Sequence, residues 1–228
     1  MQGIDFERIL WSIAVVVPPL IFAITIHEMA HGWAAWKLGD QTAKERGRVS
    51  LNPLRHVDPF GTVALPLGLY VLSLGQLTFG WAKPVPVNAR NFRRPRRDMA
   101  LVALAGPASN FLMAALWSLF IYALIYVLPV EGEIGRWLFE MRNAGIFVNV
   151  VLGLINLVPI PPLDGSRVLA AIVPAQVAKV LDRMERFGIF IVIGLVVVLW
   201  YTGLLGPLIE APIGAVLAFF FQLPGVVN

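Results

Sequence analysis

Ile9-Leu-Trp-Ser-Ile-Ala-Val-Val-Val-Pro-Pro-Leu-Ile-Phe-Ala-Ile-Thr-Ile26 runs for 18 residues without a charge and passes directly into His27-Glu28-Met29-Ala30-His31. About 20 apolar residues span a ~30 Å hydrocarbon layer as a helix, so polar chemistry is embedded at the end of a membrane span. Working outward, uncharged runs recur at Phe60–Ala82, Met99–Val130, Asn143–Leu163, Phe187–Ile209 and Ala211–Asn228. Across the 228 residues, 58% are hydrophobic and 14% charged, against roughly 25% charged in a soluble domain. The chain reads as an all-α polytopic membrane protein, a single domain over 1–228 with a core at about 8–186 and accessory helices at about 187–223. Disorder, a disulfide scaffold and a coiled coil are excluded. With no cysteine, thiolate metal sites and thiol nucleophiles are excluded as well. The net charge of +4 follows from positive loops on the inner side of a membrane, and no nucleic-acid partner is expected. The start carries Asp5, Glu7 and Arg8, unlike a cleavable signal peptide.

Charge asymmetry threads the chain. Segment 37–58 has five Lys/Arg against three acids, segment 83–98 has six against Asp98 alone, and segment 131–142 is mildly acidic. The first two are therefore expected inside and the third outside. Both flanks of Phe60–Ala82 then lie inside, so that run should not cross once. Its Gly61, Pro66, Gly68, Gly75 and Gly80 break helices and suit a re-entrant segment, the alternative being two ordinary crossings. The proline-spaced stretch from Gly80 to Asn88 suits an extended edge strand better than a helix. Helices are predicted at about 8–36, 99–129, 138–158 and 187–206, with the last uncharged run, broken by Pro212 and Pro224, left open.

His27 and His31 stand at i and i+4, on one face of a helix, with Glu28 offset by about 100° from the first. Two imidazoles beside a carboxylate are what a hydrolytic zinc site needs: nitrogen ligands for a borderline metal and a base for the activated water. Catalytic zinc takes three protein ligands and keeps one open position. His56 lies in a basic stretch and reads as a loop residue. Asp164 is the better candidate. It follows Pro159, Pro161 and Pro162, which force irregular backbone, and the competing reading is an Asp that caps the next helix. Topology separates the two, because the helix carrying His27 and His31 and the helix before Asp164 both run outside to inside. Asn110 in Gly106-Pro-Ala-Ser-Asn110 reads as a structural amide at a close helix contact.

These residues resemble the site-2 protease family of intramembrane zinc metalloproteases (peptidase family M50). His27–His31 in one membrane helix, Gly106–Asn110 in another and Asn156-Leu-Val-Pro-Ile-Pro-Pro-Leu-Asp-Gly165 fall in the family's order, over about residues 20–190. The resemblance implies a three-helix catalytic core and one Zn2+ held by His27, His31 and Asp164. It also implies Glu28 as catalytic base and Asn156 beside the metal as an oxyanion donor. It points to small bacterial members without PDZ or CBS modules, and to a membrane-associated β-hairpin near the site. Expected partners are a transmembrane protein or peptide substrate and the bilayer, with a homo-oligomer left open. The setting it implies is a bacterial inner membrane with the active site toward the cytoplasm. The chain begins almost directly on the metal-binding helix, where other branches carry a helix before it. Two readings compete with a protease: a membrane metal-binding or transport protein, and an inactive homologue acting as a scaffold.

Overall fold

The computed structural model describes residues 6–64, 68, 80, 82–126 and 132–222. Seven helices longer than one or two turns are described: α1 Phe6–Lys37, α2 Pro95–Tyr126, α3 Gly132–Leu157, α4 Asp164–Ile172, α5 Ala175–Glu185, α6 Gly188–Tyr201 and α7 Leu205–Gln222. α1, α2 and α3 are long and apolar enough to cross a membrane. The pair α5–α6 is bent by 84° at its break and adds a fourth span only if taken as one, while the apolar part of α7 is shorter. The chain is therefore a multi-pass helical membrane protein. Only 28% of the apolar window of α1 is buried inside the protein, and Leu10, Ile13, Ile21 and Phe22 face outward. An apolar face of that length is stable only against lipid. Pro18 and Pro19 lie inside α1 and Pro107 inside α2, as membrane helices tolerate when neighbours re-satisfy the freed backbone.

α2 is the hub: α1, α3 and α4 all pack against it. Small residues make this possible. Ala34 and Ala35 of α1 meet Val102 of α2, and Ala114 of α2 meets Ile146 and Val150 of α3, with Phe220 of α7 closing the cluster. At the end of the bundle where α3 begins, the Trp11 indole donates to Glu140 at 2.5 Å and the Trp137 indole to the Ala14 carbonyl at 3.3 Å. Such amphipathic rings mark a membrane–water boundary.

The edge strand expected at Gly80–Asn88 does not form. No strand occurs among the described residues; residues 82–88 run as irregular extended chain pinned at several points. The Val85 N–H donates to Glu28 Oε2 at 2.9 Å, the Asn88 N–H to Asp40 Oδ2 at 2.7 Å, and Arg48 Nη2 to the Lys83 carbonyl at 2.5 Å. Prolines at 84 and 86 make chain extended whether or not a ladder partner exists, and here side chains take the partner's place. Within the expected re-entrant run, Pro59–Ala64 form one turn of π-helix; 65–67, 69–79 and 81 lie outside the described residues.

Candidate metal centre

The centre is assembled from three stretches far apart in sequence. In α1, His27 and His31 point the same way, as their spacing requires, and their rings meet edge to face with centroids 4.6 Å apart. Each ring is tied at Nδ1. His31 Nδ1 lies 2.7 Å from the Val102 carbonyl, and His27 Nδ1 lies 2.6 Å from Asn110 Oδ1. A carbonyl only accepts, so His31 Nδ1 carries the hydrogen and its Nε2 keeps a lone pair. The two Nε2 atoms stand 2.9 Å apart, and Asp164 Oδ2 lies 3.2 Å from each.

The prolines act as the sequence suggests. α3 stops at Leu157, the chain turns irregularly through 158–163, and the Pro161–Pro162 bond is cis. Asp164 then opens α4 without capping it: the N-cap position is Leu163, and no side chain caps this helix. Its carboxylate is free to face the histidines. Gly165 permits the approach, since a Cβ there would drive into the Leu157 and Val158 carbonyls. Gly106 of α2 closes the opposite wall: a Cβ there would sit 2.5 Å from His31 Cε1 and Nε2 and 2.6 Å from His27 Cε1.

Two imidazole lone pairs and a carboxylate oxygen converge in a buried space, with His27, His31 and Asp164 each under 9% exposed. Asp164 Oδ2 is a buried oxygen that no donor satisfies by hydrogen bonding. Without a cation this arrangement is repulsive, and buried charge demands compensation. The separations are close to the ~3.3 Å edge of a tetrahedron built on bonds of about 2.0–2.1 Å. The donor set therefore fits a metal ion, and among the described residues this is the one group of three such ligands.

Glu28 lies half-buried beside this cluster on α1 and holds the Val85 N–H. Arg48 is buried nearby, where desolvation lowers its guanidinium below the ordinary value against the pull of Glu28. His56, read as a loop residue, is in a loop but fully buried: its Nε2 bonds the Ser50 carbonyl at 2.9 Å, and its own carbonyl accepts from Lys83 N. It takes no part in the cluster. Asp40, which sequence reading passed over, anchors residues 82–91 to the end of α1 through Thr42, Asn88 and Asn91. Burial alone would raise its carboxyl, but those hydrogen bonds outweigh it and hold the carboxyl below its usual range.

The two asparagines take different positions. Asn110 is fully buried and holds a histidine of the cluster directly. Asn156, expected beside the metal, donates from Nδ2 to the Leu152 carbonyl of its own helix at 2.9 Å. Asn149, buried in α3 and bonded to Asn110, carried no signal in the sequence, being one of three asparagines in that helix with no motif around it.

Fold and site together define a polytopic membrane protein with a buried centre shaped for a metal ion beside the carboxylate of Glu28. The profile of Peptidase family M50 matches residues 130–199. YwhC of Bacillus subtilis, which carries a zinc metalloprotease name, is 38% identical over 207 residues, 90% of this chain and 90% of its own. The regulator of sigma-E protease RseP of Salmonella typhimurium is 34% identical over 134 residues, 55% of this chain and 29% of its own. No solved structure matches the chain. The chain belongs to peptidase family M50, the site-2 protease family.

Proposed function

We propose that this protein is an intramembrane zinc metalloprotease that hydrolyses peptide bonds within or near transmembrane segments of other membrane proteins. The observation that carries the reading is the convergence of His27 Nε2, His31 Nε2 and Asp164 Oδ2 at 2.9 and 3.2 Å, with Glu28 one residue from the first ligand. In this reading the three side chains hold one zinc ion. Zinc there supplies the Lewis acidity that activates water and polarises a peptide carbonyl. Glu28 takes the proton from the attacking water and returns it to the departing amine, a role worth about 10²–10⁴-fold in rate. Its carboxylate first exchanges the Val85 N–H for that water. Residues 82–88, extended and adjoining the base, offer main chain along which an unwound substrate could pair. A transmembrane helix satisfies its own carbonyls and must unwind before attack.

Asn156 serves as oxyanion donor in this reading, and it has to turn from the Leu152 carbonyl to do so. The site is formed where α1 ends, α2 begins and α3 ends. Those ends adjoin the basic segments 37–58 and 83–98, which supports a cytoplasmic position. The named relatives are proteases, which disfavours a carrier that only binds the ion.

The deciding experiment is Glu28→Gln. The expected variant keeps its zinc on elemental analysis and loses at least about 100-fold in cleavage of a transmembrane reporter substrate. Cleavage that survives the change, or native protein that is free of zinc and insensitive to chelators, would overturn the reading.

A further inference from the structure

We infer that Asn149, about 39 residues downstream of Asn110, is a positioning residue that sets the tautomer of His27 through Asn110. The inference rests on the zinc reading above. The chain of bonds has a fixed polarity. Asn149 Nδ2 lies 2.8 Å from the Gly145 carbonyl, and since a carbonyl only accepts, the amide nitrogen must face it. Asn149 Oδ1 is thereby turned toward α2, where it accepts from Asn110 Nδ2 at 3.0 Å. The long contact from that nitrogen to the Ala23 carbonyl, 3.5 Å, has the same sense. Asn110 Oδ1 is left facing His27 Nδ1 at 2.6 Å. An amide oxygen accepts only, so the hydrogen of neutral His27 is on Nδ1 and the lone pair on Nε2, toward Asp164 and His31.

The Gly145 carbonyl of α3, with only the long Ala23 contact in support, thus sets which nitrogen of an α1 histidine is available to an ion. Asn110 and Asn149 are both fully buried, so bulk water does not compete for these bonds. The other ligand needs no such relay, because the Val102 carbonyl imposes the same tautomer on His31 directly. The two ligands are therefore unequally protected: His27 alone depends on a side-chain relay. Without Asn149 the Asn110 amide can turn, present its nitrogen to His27 Nδ1 and drive the hydrogen to Nε2.

The test is zinc affinity of the full-length protein in detergent, by competition with a chromophoric chelator, alongside KM for a reporter substrate. Asn149→Leu should weaken zinc binding by about 10- to 100-fold, the usual cost of losing a group that orients a metal ligand, with KM unchanged once zinc is saturating. Asn149→Asp in its neutral, protonated form keeps the shape, a hydroxyl to donate to the Gly145 carbonyl and an oxygen to accept from Asn110, and should stay close to native at a pH low enough to keep it neutral. Asn110→Leu should weaken binding comparably, and the double variant should be no worse than the weaker-binding single, because one relay is cut twice. Should Asn149→Leu fail to fold, Asn149→Ser, too short to bridge, takes its place with the same expectation. Native affinity in the folded variant, equal losses for the Leu and Asp variants, or additive losses in the double would each refute the relay. Native protein that binds no zinc would sink the metal reading and this one with it; native zinc with an unaffected Asn149→Leu sinks this one alone.

Discussion

Alanine at Gly106 is the sharpest probe of the centre. A methyl group there would lie 2.5 Å from two atoms of the His31 ring and 2.6 Å from His27 Cε1, where ordinary contact begins at 3.4 Å. Either both rings retreat by about 0.9 Å, the difference between those distances, or α2 backs away from α1. Metal–ligand bonds tolerate about 0.2 Å, so the retreat is several times what a ligated ion accepts. Overpacking of this kind costs about 1–3 kcal/mol, and a ~1 Å misplacement of reacting groups about 100-fold in rate. Intrinsic helix propensity works the other way, favouring alanine over glycine by about 1 kcal/mol. Gly106→Ala should therefore stay folded, lose most of its zinc and cleave a transmembrane reporter about 100-fold more slowly. Gly194→Ala on α6, where a Cβ would meet nothing within 4 Å, is the control and should be neutral. Zinc content by elemental analysis and cleavage of the reporter, measured on both, decide the matter. A Gly106→Ala protein that retains native zinc and native cleavage would show that the rings do not stand where a Cβ would go.

Further predictions concern the extended segment beside the base. Val85→Pro removes a main-chain N–H from the stretch along which an unwound substrate would pair and should lower cleavage by about tenfold, the value of roughly one hydrogen bond, with zinc content unchanged; undiminished cleavage would retire the pairing role of residues 82–88. Asp40→Asn should destabilise the protein by about 2 kcal/mol, read as thermal unfolding in nanodiscs. The folded Asp40 carboxyl is held below its ordinary value, so its stabilisation is present above the unfolded value of about 3.9 and lost as pH falls through the folded one. Native protein should accordingly lose stability below about pH 4, and Asp40→Asn should lack that part of the decline.

The sequence makes the helical fold legible because membrane spans are written in long uncharged runs. The predicted spans at 8–36, 99–129 and 138–158 fall within a few residues of α1, α2 and α3 at most ends. The pair His27–His31 is legible because helical spacing alone puts both rings on one face. Asp164 is legible only through topology, which brings the end of α3 to the depth of the histidines. What escapes is whatever depends on a partner far along the chain. Extended chain around Val85 reads as an edge strand, and nothing local reveals that Glu28, Asp40 and Arg48 replace the neighbouring strand. Asn149 is hidden because Asn143, Asn149 and Asn156 punctuate the same uncharged run and nothing local tells which amide meets α2; nor does sequence tell where the Asn156 amide turns, which here is to the Leu152 carbonyl.

Val102, Gly106 and Asn110 recur every fourth residue along one face of α2, and each touches the histidine pair of α1. A slide of α2 by a single residue, about 1.5 Å of rise with 100° of turn, would break all three contacts at once. α1 and α2 must therefore travel as one rigid body, and any breathing of the bundle that admits a polypeptide has to open along seams other than theirs.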